Sequence, residues 1–204
     1  MEKEFKKFTK KYLNNLVTSF EPKIIEKIQL LAEELNQNWE NGNKVFICGN
    51  GGSAGNAMHI ANDFHYGVGC KKAPKSNSVQ TKPGIKIIAL PSNPSIITCL
   101  ANDIGYENIY SHQLKVLADP NDTLIVLSGS GNSMNVINAI NEAHNIGMKT
   151  FSITAFDGGK CKKIAKENIH FEINDMQIAE DTQLIIFHIC MQWLSNFKIE
   201  GSRY

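Results

Sequence analysis

The sequence predicts an α/β fold: a doubly wound, mostly parallel sheet with helices on both faces, in a single domain spanning residues 1–204. Three observations carry this. Short β-branched and aliphatic runs alternate with stretches of helical period, the order in which parallel strands are joined by crossover helices. Several of the runs are apolar at successive positions, as expected of strands covered on both faces. Glycine-rich turns close two of the runs and lead into helices, the arrangement that places ligands at strand ends in open α/β sheets.

The elements follow in order. Phe8, Tyr12 and Leu16, then Ile24, Ile25, Ile28, Leu31 and Leu35, recur mostly at steps of three and four, which predicts two amphipathic helices over about 5–40. A turn near Ser19 to Pro22 separates them, because proline suits a first helical turn and not an interior. Strand-like runs follow at 44–49, 85–92, 122–130, 148–154 and 168–173. Between them, helical patterns occupy 53–66, 94–101, 106–117, 133–146 and 159–166, and a last helix covers about 178–197.

Bulk composition narrows the function. A chain of 204 residues builds one full core. With 21 Lys+Arg against 20 Asp+Glu the formal charge is +1, which provides no electrostatic footprint for nucleic acid or an anionic membrane. Lys71, Lys72, Lys75 and Lys82 cluster among prolines, serines and a glycine, and read as a solvated loop insertion over 68–84. The five cysteines, Cys48, Cys70, Cys99, Cys161 and Cys190, are scattered and form no C-x-x-C pair, so neither a disulfide framework nor a zinc knuckle is indicated. The N-terminus lacks a signal-peptide core, and no apolar run approaches the ~18 residues of a membrane span. A soluble, unprocessed, cytoplasmic protein is expected.

The two glycine-rich turns are candidate anion cradles. In the second, Ser128, Ser130 and Ser133 supply three hydroxyls around Gly129 and Gly131 with no charge of either sign, a nest suited to a phosphate monoester. The plainer alternative is a turn plus a helix N-cap. In the first, Gly49 to Ala54 matches the G-x-G-x-x-[GA] dinucleotide fingerprint. That fingerprint also needs an acidic residue at the end of the next strand, and here the strand ends Leu90-Pro91-Ser92-Asn93, so a nicotinamide cofactor is not expected. No Gly-Lys-[Ser/Thr] follows the glycines, which excludes a P-loop. His59 and Asp63, four apart, share one face of the following helix, and His188 lies in the last helix within LIIFHICMQWL. From its apolar flanks His188 is either a core histidine with a satisfied ring or a desolvated catalytic group. His65 and His112 read as surface or interface residues.

Taken together, GNGGSA (49–54), LANDIGYEN (100–108), SGSGNS (128–133) and GMKTFSITAFDGGK (147–160) resemble the sugar isomerase (SIS) domain family, and within it the phosphoheptose isomerases. The likeness covers roughly residues 5–197. It implies a five-stranded parallel sheet, a homotetramer with active sites at subunit interfaces, and a zinc ion. Carried over, Ser128, Gly129, Ser130 and Ser133 would hold the phosphate, while Asn50, Gly51, Gly52 and Ser53 would line the sugar. Asn102 and Asp103 match substrate contacts; without the resemblance they read as a hydrogen-bonded turn before Gly105. His188 matches the catalytic histidine, and Asp63 would be its proton-transfer partner and a substrate contact.

Two positions depart from the family pattern. Asp63 stands where a glutamate is usual, and Glu180, eight before His188, where a glutamine ligand is usual. On the resemblance, His59, Asp63, Glu180 and His188 would form an N2O2 zinc set, with Glu180 also a substrate contact. Glu180 and His188 stand ~12 Å apart along a straight helix, so convergence needs long reaches or a later helix start, and Gln177 is an alternative to Glu180. The implied activity is conversion of D-sedoheptulose 7-phosphate to D-glycero-D-manno-heptose 7-phosphate through an enediol, for activated heptose and surface polysaccharide. A non-catalytic SIS module, binding a replication initiator or sensing a sugar phosphate, and an isomerase of another sugar phosphate remain open.

Overall fold

A computed structural model describes residues 1–68 and 83–200, the last five of these by backbone alone. Cys70 and the lysines at 71, 72, 75 and 82 lie outside the described residues. Strands β1 (Lys44–Gly49), β2 (Lys86–Ala89), β3 (Thr123–Ser128), β4 (Lys149–Thr154) and β5 (Glu167–His170) form one parallel sheet in the order β2-β1-β3-β4-β5. The apolar run expected at 85–92 stops pairing at Ala89. Pro91, which has no N–H for a ladder, lies instead in a single 3-10 turn, Leu90–Ser92. The run expected at 168–173 pairs over 167–170, and Phe171 stays buried just beyond it.

The helices are α1 (Glu2–Thr18), α2 (Pro22–Asn41), α3 (Gly52–Tyr66), α4 (Pro94–Ile104), α5 (Ser111–Leu117), α6 (Met134–Ile146), α7 (Gly159–Ile164) and α8 (Met176–Glu200). Pro22 opens α2 as its position in the sequence requires. Helix α4 runs three residues further than its apolar pattern, so Asn102 and Asp103 lie in its last turn and not in a free turn before Gly105. The helix expected at 106–117 divides into a 3-10 turn, Tyr106–Asn108, and α5.

Alternate strand residues feed two cores. Val45, Ile47, Ile125, Leu127 and Ile153 pack with α2, α3 and α8, while Phe46, Cys48, Leu124 and Val126 pack with α5 and α6. Both faces of β1 and β3 are therefore dry, which is why their sequences are apolar without alternation. Helix α1, like α4, buries none of its residues, and it exposes Phe5, Phe8, Leu13 and Val17. Among the described residues no helix is long and apolar enough to cross a membrane.

Candidate active site

In a sheet ordered 2-1-3-4-5, the chain turns to opposite sides after β1 and after β3, and the crevice outside those two strand ends is where ligands bind. Gly49 pairs with Leu127, so the segments that follow β1 and β3 leave the sheet side by side. Both glycine-rich cradles of the sequence are thus at the switch point.

In the second cradle Ser128 is buried, and its Oγ accepts the Gly131 N–H at 3.1 Å. The Oγ of Ser130 accepts the Asn132 N–H at 3.3 Å. Gly131 has φ 65°, and a Cβ there would land against the Gly158 carbonyl, so no other residue fits without moving the neighbouring loop. That loop braces the cradle: Ala155 N–H donates to Gly129 O and Cys161 N–H to Gly131 O, each at 2.9 Å, and Lys160 N–H donates to Asn132 Oδ1 at 3.2 Å. Ser133 occupies the N-cap position of α6, yet its hydroxyl makes no cap hydrogen bond. The turn-plus-cap alternative therefore leaves this serine unexplained. A helix start has N–H groups without intrahelical partners; here Val136 N–H is taken by Asn135 Oδ1, and those of Met134 and Asn135 are left to solvent or a ligand.

The first cradle is tied to α8. Gly52 begins α3, and a Cβ on it would overlap the Glu180 carboxylate, which therefore stands over the helix's first turn, where its dipole favours an anion. Ser53, expected to line the sugar, is buried with its Oγ accepting from Gln183 Nε2 at 3.1 Å. Gln183 Oε1 in turn accepts from Asn56 Nδ2 at 3.0 Å. Asn50 is half-buried between the cradles and bonded to Asn135 and Tyr106. Asn102 and Asp103 are exposed and bond to each other, Nδ2 to Oδ1 at 2.8 Å. The Asp103 carboxylate also accepts from the Cys99 thiol, which raises that thiol's pKa.

The third group joins α3 to α8. Buried Ile60, Phe64 and Phe187 seat the two helices on one core, with the rings of Phe64 and Phe187 edge to face. This packing turns His59, Asp63 and His188 toward one another. His59 Nε2 lies 3.2 Å from His188 Nε2, and Asp63 Oδ2 lies 3.3 Å from each. Among the described residues these three form a cluster able to hold a metal ion. Their separations suit one: a tetrahedral site with bonds of ~2.0–2.1 Å has ligand–ligand edges of about 3.3–3.4 Å. His188 is neither a core histidine nor desolvated, its side chain being 41% exposed in the single chain, because the apolar residues flanking it in sequence point elsewhere around the helix.

Glu180 stands outside that cluster. Helix α8 begins earlier than its pattern, at Met176, and two turns of unbroken helix keep Glu180 and His188 apart. Gln177 is exposed in the first turn of α8, its N–H capped by Asp175 Oδ1. A cavity of about 610 Å³ opens elsewhere, between the α1–α2 corner and residues 170–175, and its charges are partly spent on one another, Lys23 pairing with Glu21 and Glu172. Sequence reasoning assigned no role to Tyr106, Asn135, Gln183 or the loop at 155–161. The paired glycines at 158 and 159, both with positive φ, were the available signal for the last of these.

The chain matches known proteins along most of its length. The model of the SIS domain family matches residues 8–155. A phosphoheptose isomerase of Aliarcobacter butzleri is 35% identical over 178 residues, 85% of this chain and 89% of the relative. One from Helicobacter pylori strain P12 is 34% identical over 180 residues, 88% and 86% of the two chains. Among solved structures, a phosphoheptose isomerase from Neisseria gonorrhoeae superposes with a TM-score of 0.83 at 24% identity, covering 96% of this chain and 98% of that one, which establishes the shared fold.

Proposed function

We propose, from the premise that this chain belongs to the SIS domain family and within it to the phosphoheptose isomerases, that it interconverts D-sedoheptulose 7-phosphate and D-glycero-D-manno-heptose 7-phosphate. The observation that carries the chemistry is the pairing of a hydroxyl- and amide-lined anion cradle after β3 with an imidazole–carboxylate cluster on the helix that follows the neighbouring strand β1. His59 lies seven residues beyond Gly52, about 10 Å along α3, so the cluster is set back from the strand ends where the phosphate would be held, as the two ends of an extended sugar require.

Moving a carbonyl between C1 and C2 requires taking a proton from carbon, holding an enediol, and returning the proton to the neighbouring carbon. Asp63 and His188 are our pair for this, one acting at carbon and one at oxygen, each contributing on the order of 10² to 10⁴-fold. Ser128, Gly129, Ser130 and Ser133 hold the phosphate, and Asn50, Gly51, Gly52, Ser53, Asn102, Asp103 and Glu180 contact the sugar. His59, Asp63 and His188 would hold zinc, and Glu180, which rests over Gly52, stands outside that set. Such an ion, when bound, polarises the sugar carbonyl. Were His188 to help hold such an ion, the second carboxylate oxygen of Asp63 would carry the proton.

The cluster is open to solvent in one chain, and α1 exposes apolar side chains that none of the described residues covers. Both features support a homotetramer with sites at subunit interfaces. The buried thiols support a reducing cytoplasmic setting: burial pushes Cys161 up to about 11 and Cys190 up to about 12, so neither is reactive. The product would feed activated heptose for surface polysaccharide.

Incubation with the ketose phosphate in D2O should give the aldose labelled at C2. Finding neither aldose nor exchange would end the assignment. Five- and six-carbon ketose phosphates in the same assay test sugar length, and metal analysis of the purified enzyme before and after chelation tests the zinc.

A further inference from the structure

We infer that Asn135 and Tyr106 are positioning residues, which lock the Asn50 amide so that it offers the substrate a single N–H and no acceptor. The inference rests on the reading that Asn50 faces the sugar.

Asn50 Oδ1 accepts from Asn135 Nδ2 at 2.7 Å and from the Tyr106 hydroxyl at 3.0 Å. Asn50 Nδ2 donates to Asn135 Oδ1 at 2.9 Å. An amide carries two lone pairs on oxygen and two hydrogens on nitrogen. Both lone pairs of Asn50 are thus spent, and one N–H is left.

The orientation of a side-chain amide is normally open to a flip, but here a backbone group decides it. Val136 N–H can only donate, and its partner at 3.0 Å is on the Asn135 side chain, so that atom is the oxygen. Asn135 must then turn its NH2 to Asn50 Oδ1 and its oxygen to Asn50 Nδ2. Asn135 is 1% exposed, so water cannot substitute for a lost partner. Asn135 is the second residue of α6, just past the phosphate cradle, while Tyr106 follows the segment carrying Asn102 and Asp103. One hydrogen-bonded hub therefore registers the phosphate cradle, the sugar cradle and the α4–α5 connection.

A donor held in this way binds a sugar oxygen more strongly as that oxygen gains negative charge along the path to the enediol. Loosening it should lower kcat more than it raises KM, and should spare the phosphate cradle.

The test is a double-mutant cycle in the full-length enzyme, with kcat and KM for sedoheptulose 7-phosphate and the inhibition constant for inorganic phosphate. Asn50→Ala should lower kcat/KM roughly 10- to 100-fold and Tyr106→Phe roughly 3- to 10-fold, the size of one hydrogen bond lost from a charged or developing-charge contact. The Tyr106→Phe loss should fall mainly on kcat, leave phosphate inhibition within about twofold, and vanish in the Asn50→Ala background. Asn135→Ser should behave likewise; should it fail to fold, Tyr106→Phe alone decides. A Tyr106→Phe effect that persists undiminished beside Asn50→Ala, or a Tyr106→Phe enzyme with wild-type kcat and KM, overturns the inference. A silent Asn50→Ala instead overturns the reading of Asn50 as a substrate contact.

Discussion

The two ends of the parallel sheet use similar residue types and differ in where their hydrogen bonds go. At the amino-terminal ends of β3 and β4, Glu34 accepts from Asn38 Nδ2 and Thr123 Oγ1, each at 2.9 Å, and from Lys149 Nζ at 2.6 Å. Nearby, Asp122 accepts from the backbone N–H groups of Lys44 and Asp119 and pairs with Lys44 Nζ. These ties to Asp119 and Asp122 raise the Lys44 pKa against the lowering effect of burial. Among the described residues, Asn36 Oδ1 and Asn38 Oδ1 are the buried side-chain atoms left without a partner. At the carboxyl-terminal ends, Ser133 caps nothing, Asn50 retains an N–H, and the His59–Asp63–His188 cluster is partly open to solvent. Apart from Asn38 Oδ1, the first end closes the polar groups of this network on one another and braces the fold; the other leaves polar groups open, as the proposed ligand requires.

That contrast can be broken by substitution at either end. His188→Gln should lower kcat by roughly 10² to 10⁴-fold while the thermal midpoint and assembly state stay at wild-type values; turnover at the wild-type rate would remove this cluster from the reaction. Glu34→Ala should act oppositely, leaving Asn38 and Thr123 short of a buried partner. A loss of about 2–3 kcal/mol in urea unfolding is expected, with kcat of the folded enzyme unchanged.

Ser133→Ala separates the two roles of a serine at a helix start. Loss of one hydrogen bond to a phosphate should raise KM roughly tenfold or more with no change in stability. A capping serine would instead cost about 1 kcal/mol of stability and leave KM alone.

The smallest effect is in pH. Burial, and then Lys166, holds the His144 pKa below its ordinary value; burial, and then Lys162, does the same for His170. Each binds its proton less readily in the folded chain, so the unfolded chain holds more protons as the pH falls through about 6.5. Their contribution is whole above that pH and is lost as pH falls through the lowered folded-state values. Urea midpoints should fall less between pH 7.5 and 5.5 in His144→Gln than in the unsubstituted protein, and equal slopes would contradict the sign.

Most of the fold was legible because burial on both faces writes itself into local sequence. Runs such as KVFICG and TLIVLS have no polar alternation to hide them, and the order of strands and helices left few topologies open. The boundaries that shifted did so for reasons outside the local pattern. β2 ends where Pro91 removes a donor, and α4 and α8 extend over polar residues whose helical state costs little once the neighbouring turn is in place.

The glycine-rich turns were legible too, since their small residues and hydroxyls lie within one loop. The histidine–carboxylate cluster was half legible: His59 and Asp63 are neighbours by helical period, whereas His188 is 125 positions away from Asp63 and its ambiguity between core and site could not be resolved from its flanks.

Sequence by itself determined the periodicity, the apolar faces and the glycine turns, because each depends on residues a few positions apart. Only the tertiary structure decided which distant atoms meet: that His188 closes a triangle with His59 and Asp63, that Glu180 rests over Gly52 instead of joining them, and that Asn135 and Tyr106 exhaust the acceptor of Asn50. The physical reason is that such contacts are set by how whole helices seat on the sheet, through Phe64, Phe187 and the two dry cores, and no short stretch of chain carries that information.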